Sequence, residues 1–287
     1  MTNYNRGVFN ENIKIMGIVN VTPDSFSDGG AFLKQQDAEK QILKLIKDGA
    51  DIIDIGGEST GPGSKDVSVD EEMKRVKPLI DFIAKNKLTK KAQFSIDTYK
   101  ALVARYALEN GFTMVNDVTA LRGDPDMMDV LIMNQPQVIL MYSKDQTPRT
   151  TAENTQYDDV ITTIRSFLIG QIVNLVDAGF PEENIIIDPG MGMFISADPK
   201  YSLEIIDRLP ELKQMGYPVC VGVSRKSFLG GKKDERDGLS VELSIKAIRN
   251  GADIVRMHNV ALLKKSMPEN INEEDISEQE NIEEEED

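Results

Sequence analysis

Short runs of β-branched and other apolar residues recur along the chain, each followed by a stretch long enough for an amphipathic helix. Ile13–Val19, Asp51–Ile55, Gln93–Ile96, Thr113–Val115, Val138–Met141, Ile185–Ile187, Pro218–Gly222 and Asp253–Val255 are predicted strands. Helices are predicted at 36–48, 70–86, 99–110, 124–134, 158–178, 199–214, 239–250 and 259–266. In the first of these, Ile42, Leu43, Leu45 and Ile46 fall at helical spacing. Gly49, Gly111, Gly179, Gly216 and Gly251 stand where a helix should stop before the next strand, which predicts glycine C-caps. Periodicity alone does not separate such short apolar runs from buried helix pieces, but their regular alternation with helices does. Eight strand–helix units predict an α/β fold, a (β/α)8 barrel forming a single domain over 13–268. Residues 1–12 are a lead-in and 269–287 an acidic tail expected to be disordered. The competing doubly wound sheet would show fewer units and a glycine-rich phosphate loop after its first strand, and neither GxGxxG nor GxxxxGKS occurs.

Charge changes this picture little. The chain carries 48 acidic and 33 basic residues, a net charge of -15, and ten of the acids lie between Glu273 and Asp287. The body that remains is mildly acidic, with no basic patch of the kind nucleic-acid binding requires. One cysteine, Cys220, excludes an intrachain disulfide and fits a reducing compartment. No apolar run approaches the ~20 residues of a membrane span, and the N-terminus lacks a basic-then-apolar signal pattern. The expectation is a soluble, cytoplasmic protein.

In a barrel, chemistry gathers at the C-terminal ends of the strands. Those ends carry Asn20, Asp54 with Glu58, Asp97, Asn116, Tyr142, Asp188, the run Ser224–Arg225–Lys226–Ser227, and Arg256 with His258. Carboxylates and amides at the end of an apolar strand are costly to desolvate unless they bind something. So many on one rim predict a binding site. Asp97, Asn116 and Asp188 suit a flat heterocycle with several N–H donors, while Lys226, Arg256 and His258 suit an anion, phosphate above all. His258 is the only histidine, so a multi-histidine zinc site is excluded. Cys220 falls inside a strand and reads as a small core residue, and Ser227 has no evident base partner for nucleophilic catalysis. Two stretches, Thr22–Gly30 (TPDSFSDGG) and Ser59–Lys65 (STGPGSK), have the composition of loops that close over a substrate.

Together these motifs resemble the dihydropteroate synthase family. IMGIVNVTPDSFSDGG at 15–30 and DIIDIGGESTGPG at 51–63 are similar to its first two signatures. The resemblance continues through SIDTYKA at 95–101, VNDVTAL at 115–121, IDPGMG at 187–192, VGVSRKSFLG at 221–230 and GADIVRMHNV at 251–260. It implies a TIM barrel that joins p-aminobenzoate to 6-hydroxymethyl-7,8-dihydropterin pyrophosphate, with loss of pyrophosphate. By motif position, Asp97, Asn116, Asp188 and Lys226 would hold the pterin. Asn20, Arg256 and His258 would hold the pyrophosphate, with Asn20 reaching Mg2+. Thr60, Pro62, Met193 and Ser227, with Lys226, would form the p-aminobenzoate pocket. The catalytic set would be Asp97, Asp188, Lys226, Arg256 and His258. A homodimer through helices of the last units is also implied.

Three departures from the family pattern stand out. Gly61 replaces the arginine of the usual STRPG, removing a cation that Lys65 would only partly replace. DPGMGMFIS at 188–196 puts Met193 where an aromatic is usual and displaces Phe194 by one position, similar to the sulfonamide-resistant branch. Met141–Tyr142 replaces the usual Met-His. All three fall in or near the p-aminobenzoate side and leave the pterin and phosphate sets intact, so reduced sulfonamide sensitivity is an expectation. Two alternatives fit part of the pattern: a pterin-binding homologue without synthase activity, and a pterin enzyme like the methyltetrahydrofolate methyltransferases.

Overall fold

The computed structural model describes residues 13–22, 31–232 and 235–267, with the side chains of 31–34 set aside. The predicted lead-in, the acidic tail and most of the TPDSFSDGG stretch lie outside these residues. Eight parallel strands form one sheet: β1 (Lys14–Asn20), β2 (Ile52–Gly56), β3 (Gln93–Asp97), β4 (Met114–Asp117), β5 (Gln137–Met141), β6 (Ile185–Asp188), β7 (Cys220–Val221) and β8 (Ile254–Met257). Their order is β6-β5-β4-β3-β2-β1-β8-β7. A bridge between Ile187 and Val219 joins the two ends, with Ile187 N donating to Pro218 O at 2.9 Å. The result is the predicted TIM barrel.

The α-helices among the described residues are α1 (Ala31–Lys47), α2 (Val69–Lys85), α3 (Ala101–Glu109), α4 (Met127–Asn134), α5 (Val160–Asp177), α6 (Pro199–Asp207), α7 (Leu209–Lys213), α8 (Arg236–Arg249) and α9 (Val260–Ser266). The five predicted C-cap glycines all adopt the left-handed φ that their position requires. One predicted helix, 199–214, is two. Pro210 has no N–H to offer the carbonyl of Ile206, and that carbonyl instead accepts from Asn250 Nδ2 at 2.7 Å. The chain breaks at Arg208 between α6 and α7.

Side-chain alternation along the strands builds two cores. Ile15, Val19, Ile53, Ile55, Phe94 and Ile96 face outward and pack with the buried faces of the helices. Met16, Ile52, Met114, Ile139, Ile186, Cys220 and Ile254 come from seven different strands and form a separate buried cluster, which only the barrel interior can bring together. Cys220 is therefore the small core residue its position predicted. Helix α5 is 18 residues long and apolar enough in composition to cross a membrane. Here it lies on the barrel, burying Val160, Ile161, Ile164, Leu168, Ile172 and Leu175 along one face.

Candidate active site

The positions two residues beyond that interior cluster face the same space one layer higher. They are Asp54 above Ile52, Asn116 above Met114, Asp188 above Ile186 and Arg256 above Ile254. Sheet register sets Asp97 beside both Gly56 and Asn116, and Asn20 beside Gly56. A Cβ added to Gly56 would stand 3.4 Å from Asp97 Oδ2 and 3.5 Å from Asn20 Oδ1, so these two oxygens flank it at the barrel mouth. The floor of the site is apolar and its upper layer is charged.

Arg256 organises that layer. Its Nε donates to Asp54 Oδ2 at 2.6 Å and its Nη2 to Asp97 Oδ2 at 2.6 Å. Asn116 Nδ2 donates to the same Asp54 oxygen at 3.0 Å. Asp54 Oδ1 is buried and has no donor among the described residues. Across the mouth, Asp188 Oδ1 accepts from Gly190 N at 2.7 Å. Gly190 has φ 71, and a Cβ there would come within 2.4 Å of Tyr142 O, so only glycine lets this turn close on the carboxylate. Lys226 Nζ donates to Met191 O at 3.0 Å and sits 4.8 Å from the centre of the Phe194 ring.

Burial dominates the electrostatics. It pushes the Asp97 carboxyl up to about 7, against the attraction of Arg256 and with the repulsion of Asp54. It pushes Asp188 up to about 6, opposed by the Gly190 N–H and by Lys226. It lowers the Lys226 ammonium to about 8, although Asp188 favours the charge. For Arg256 burial opposes the charge too, but Asp54 and Asp97 outweigh it and hold the guanidinium more firmly protonated than usual. Of the site's carboxylate oxygens, Asp54 Oδ1 is the buried one without a donor among the described residues, and such an acceptor is costly.

His258 lies beside this cluster. Its backbone N–H donates to Ser224 Oγ at 3.1 Å, and the same hydroxyl is 2.9 Å from His258 Nδ1. Ser224 thereby fixes the ring by its Nδ1 edge, so an anion would be met by Nε2. Arg225, its neighbour in the basic run, turns away from the mouth. With φ 57 it directs its guanidinium to Asp237, Nε to Oδ1 at 2.6 Å and Nη2 to Oδ2 at 2.9 Å. Tyr142 also points elsewhere, into the helix layer, where its ring meets Phe167 edge-on at 5.3 Å.

The residues expected around the second substrate sit on three loops. Thr60 and the exposed Pro62 follow β2, half-buried Met193 follows β6, and exposed Ser227 follows β7. The Thr60 carbonyl accepts from Thr150 N at 3.0 Å, and the Met193 carbonyl lies 2.7 Å from Thr150 Oγ1. Lys65 is exposed, and its carbonyl accepts from Arg149 Nη2 at 2.9 Å.

Asp54 was among the strand-end residues, but its role as the hub that holds Arg256 and Asn116 did not stand out in the sequence. Glu72 lies on the buried face of α2 and pairs with Lys100, which also meets Glu58. A glutamate on the apolar stripe of an amphipathic helix was the available signal.

The chain matches the family model described as pterin binding enzyme over residues 16–258. A dihydropteroate synthase of Streptococcus pyogenes serotype M3 is 42% identical over 259 residues, covering 88% of this chain and 92% of that protein. Among solved structures, Xanthomonas albilineans dihydropteroate synthase with 4-aminobenzoic acid matches at TM-score 0.82 and 36% identity, covering 89% of this chain and 91% of that one. The same enzyme in complex with 7,8-dihydropteroate matches at TM-score 0.77 and 35% identity, over the same shares of the two chains.

Proposed function

This chain belongs to the pterin-binding enzyme family, as a transferase among its dihydropteroate synthases, and from that premise we propose how its own residues divide the reaction. Asp97, Asn116, Asp188 and Lys226 hold the pterin. Arg256, Asp54 and the Gly190 turn hold Asp97, Asn116 and Asp188 at one end of the barrel, so that acceptors for ring N–H groups converge there, which is the observation that carries the assignment. Asp54 serves by fixing Arg256 and Asn116. Arg256, His258 and Asn20 face the diphosphate.

In the reaction the bond between the pterin methylene carbon and the diphosphate oxygen breaks, and its electron pair leaves with the diphosphate. The amine nitrogen of p-aminobenzoate then gives its lone pair to that carbon and releases a proton. Arg256 and His258 stabilise charge growing on the leaving group. Asp97 and Asp188 face positive charge that spreads into the pterin ring. An aromatic amine attacks a cation-like carbon without a strong base. Asn20 Oδ1 at the mouth suits Mg2+, which needs few protein oxygens when substrate phosphates and water complete its shell. Bound there, the ion would neutralise diphosphate charge.

Thr60, Pro62, Met193 and Ser227 form the p-aminobenzoate pocket. Gly61 and Met193, which stand where the family pattern usually has an arginine and an aromatic, support reduced sulfonamide sensitivity. A homodimer through the later helices is the assembly that the family resemblance implies. Buried, unpaired Cys220 and the packing of α5 on the barrel suit a cytoplasmic enzyme. The test is pyrophosphate release from the pterin substrate and Mg2+, with and without p-aminobenzoate. Amine-dependent release accompanied by dihydropteroate is expected. Pterin binding without amine-dependent turnover would overturn the assignment of the second pocket.

A further inference from the structure

The segment after β5, residues 144–151, lies outside every motif that carried the family resemblance, yet it ties together the loops of the second-substrate side. Thr150 is buried. Its backbone N–H donates to Thr60 O at 3.0 Å, while its hydroxyl is 2.7 Å from Met193 O and 2.8 Å from Asp145 Oδ2. Lys144 N donates to Phe194 O at 2.9 Å. The segment therefore bridges the loop after β2 to the loop after β6.

Arg149 holds the β2 loop from the other side. Its guanidinium donates to Lys65 O at 2.9 Å and forms ion pairs with Glu58 and Asp66. Glu58 is only 3% exposed and also meets Lys100, whose ammonium is shared with buried Glu72. Two buried carboxylates around one ammonium are under-compensated, and Arg149 supplies the second cation. Within the loop itself no side chain does this. A Cβ at Gly61 would meet only Ser59 Oγ, at 3.7 Å, so the room for one exists.

We propose that Arg149 and Thr150 are positioning residues for p-aminobenzoate: the guanidinium clamps the β2 loop through Glu58 and Asp66, and Thr150 sets the spacing of Thr60 and Met193. The inference rests on the assignment of Thr60 and Met193 to that pocket. It also explains how the loop keeps its order with glycine at position 61.

The test is steady-state kinetics of the full-length enzyme with Mg2+, each substrate varied in turn, for the wild type, Arg149→Ala and Thr150→Val. In both variants the KM for p-aminobenzoate should rise, about tenfold for Arg149→Ala, while the KM for the pterin pyrophosphate stays as in the wild type. Thr150→Val keeps the backbone donor and the side-chain shape, so it gives a reading even if Arg149→Ala does not fold. Equal rises in both KM values, or no rise in either, would overturn the proposal. A wild type without amine-dependent turnover would instead overturn the pocket assignment beneath it.

Discussion

Arg256 Nη2 lies 2.6 Å from Asp97 Oδ2, joining the last strand of the barrel to the third across 159 residues of sequence. The same guanidinium holds Asp54 through Nε at 2.6 Å. One planar cation thus bridges two carboxylates on different strands, each through its own N–H of a rigid fork. Arg256 braces the mouth of the barrel before any substrate arrives. It also presents a cation to the diphosphate.

Removing it should be costly twice over. Arg256→Ala leaves buried Asp54 and half-buried Asp97 without a counter-charge, and loss of one partner of a buried pair costs roughly 3–5 kcal/mol. Urea denaturation should show a loss of that order, together with near-complete loss of turnover. Arg256→Lys should recover part of the stability and little of the activity. Equal stability of the alanine variant and the wild type would show that the guanidinium does not brace the mouth.

Asp97 predicts a trade between stability and function. Its folded carboxyl titrates near 7 because of burial, against an ordinary 3.8. Across that window the native state keeps a proton that the unfolded chain has lost, so stability is greatest at the acid end and declines as pH rises toward 7. Asp188 adds to the decline up to about 6. Asp97→Asn is neutral throughout, so its melting temperature should fall less than that of the wild type between pH 5 and pH 8. The same variant should lose most pterin affinity in calorimetry, because one arm of an amide is an N–H donor and would face a ring donor where the carboxylate offers an acceptor. Parallel melting curves for the two proteins would count against the buried-carboxylate account.

Much of this site was legible because barrel strands announce themselves twice, by apolar alternation and by a polar residue at the C-terminal end. Asn20, Asp97, Asn116, Asp188 and Arg256 all sit at such ends, and the fold collects them on one rim. Asp54 counts among them, but its bracing role was harder to read because it lies inside a strand whose neighbours are isoleucines. Arg149 and Thr150 were not legible at all. They lie in a loop with no period, and most of their partners are backbone carbonyls and acids more than 40 residues away. The split of 199–214 into two helices had a signal in Pro210, but the capture of the Ile206 carbonyl by Asn250 is a tertiary event.

Cys220 offers a test of the barrel interior that does not depend on activity. It is buried in the cluster with Met16, Ile139 and Ile254, and burial, with the nearby Asp188 charge, raises its thiol well above the ordinary range. A thiol without access or thiolate character is inert. Alkylating reagents should leave it unlabelled under native conditions and modify it fully in denaturant. Ile139→Ala in the same cluster should lower stability by about 2–5 kcal/mol. Rapid native labelling would mean that the lower barrel opens far more readily than its packing implies.

The alkaline limit of turnover should report on Lys226. Burial lowers its ammonium to about 8, and the charge that remains is favoured by Asp188. Its Nζ is held at Met191 O and over the Phe194 ring, between the two substrate pockets assigned above. As pH rises through 8 the side chain becomes neutral, and its attraction for pterin acceptors and for the p-aminobenzoate carboxylate is lost. Turnover with p-aminobenzoate at low concentration should therefore decline above pH 8. Arginine differs from lysine in shape, so Lys226→Arg should lower the maximum, but a guanidinium keeps its charge at every pH tested. The alkaline limb should disappear in that variant. If the limb persists unchanged with arginine, the decline belongs to another group, and Lys226 acts through shape and hydrogen bonding instead of charge.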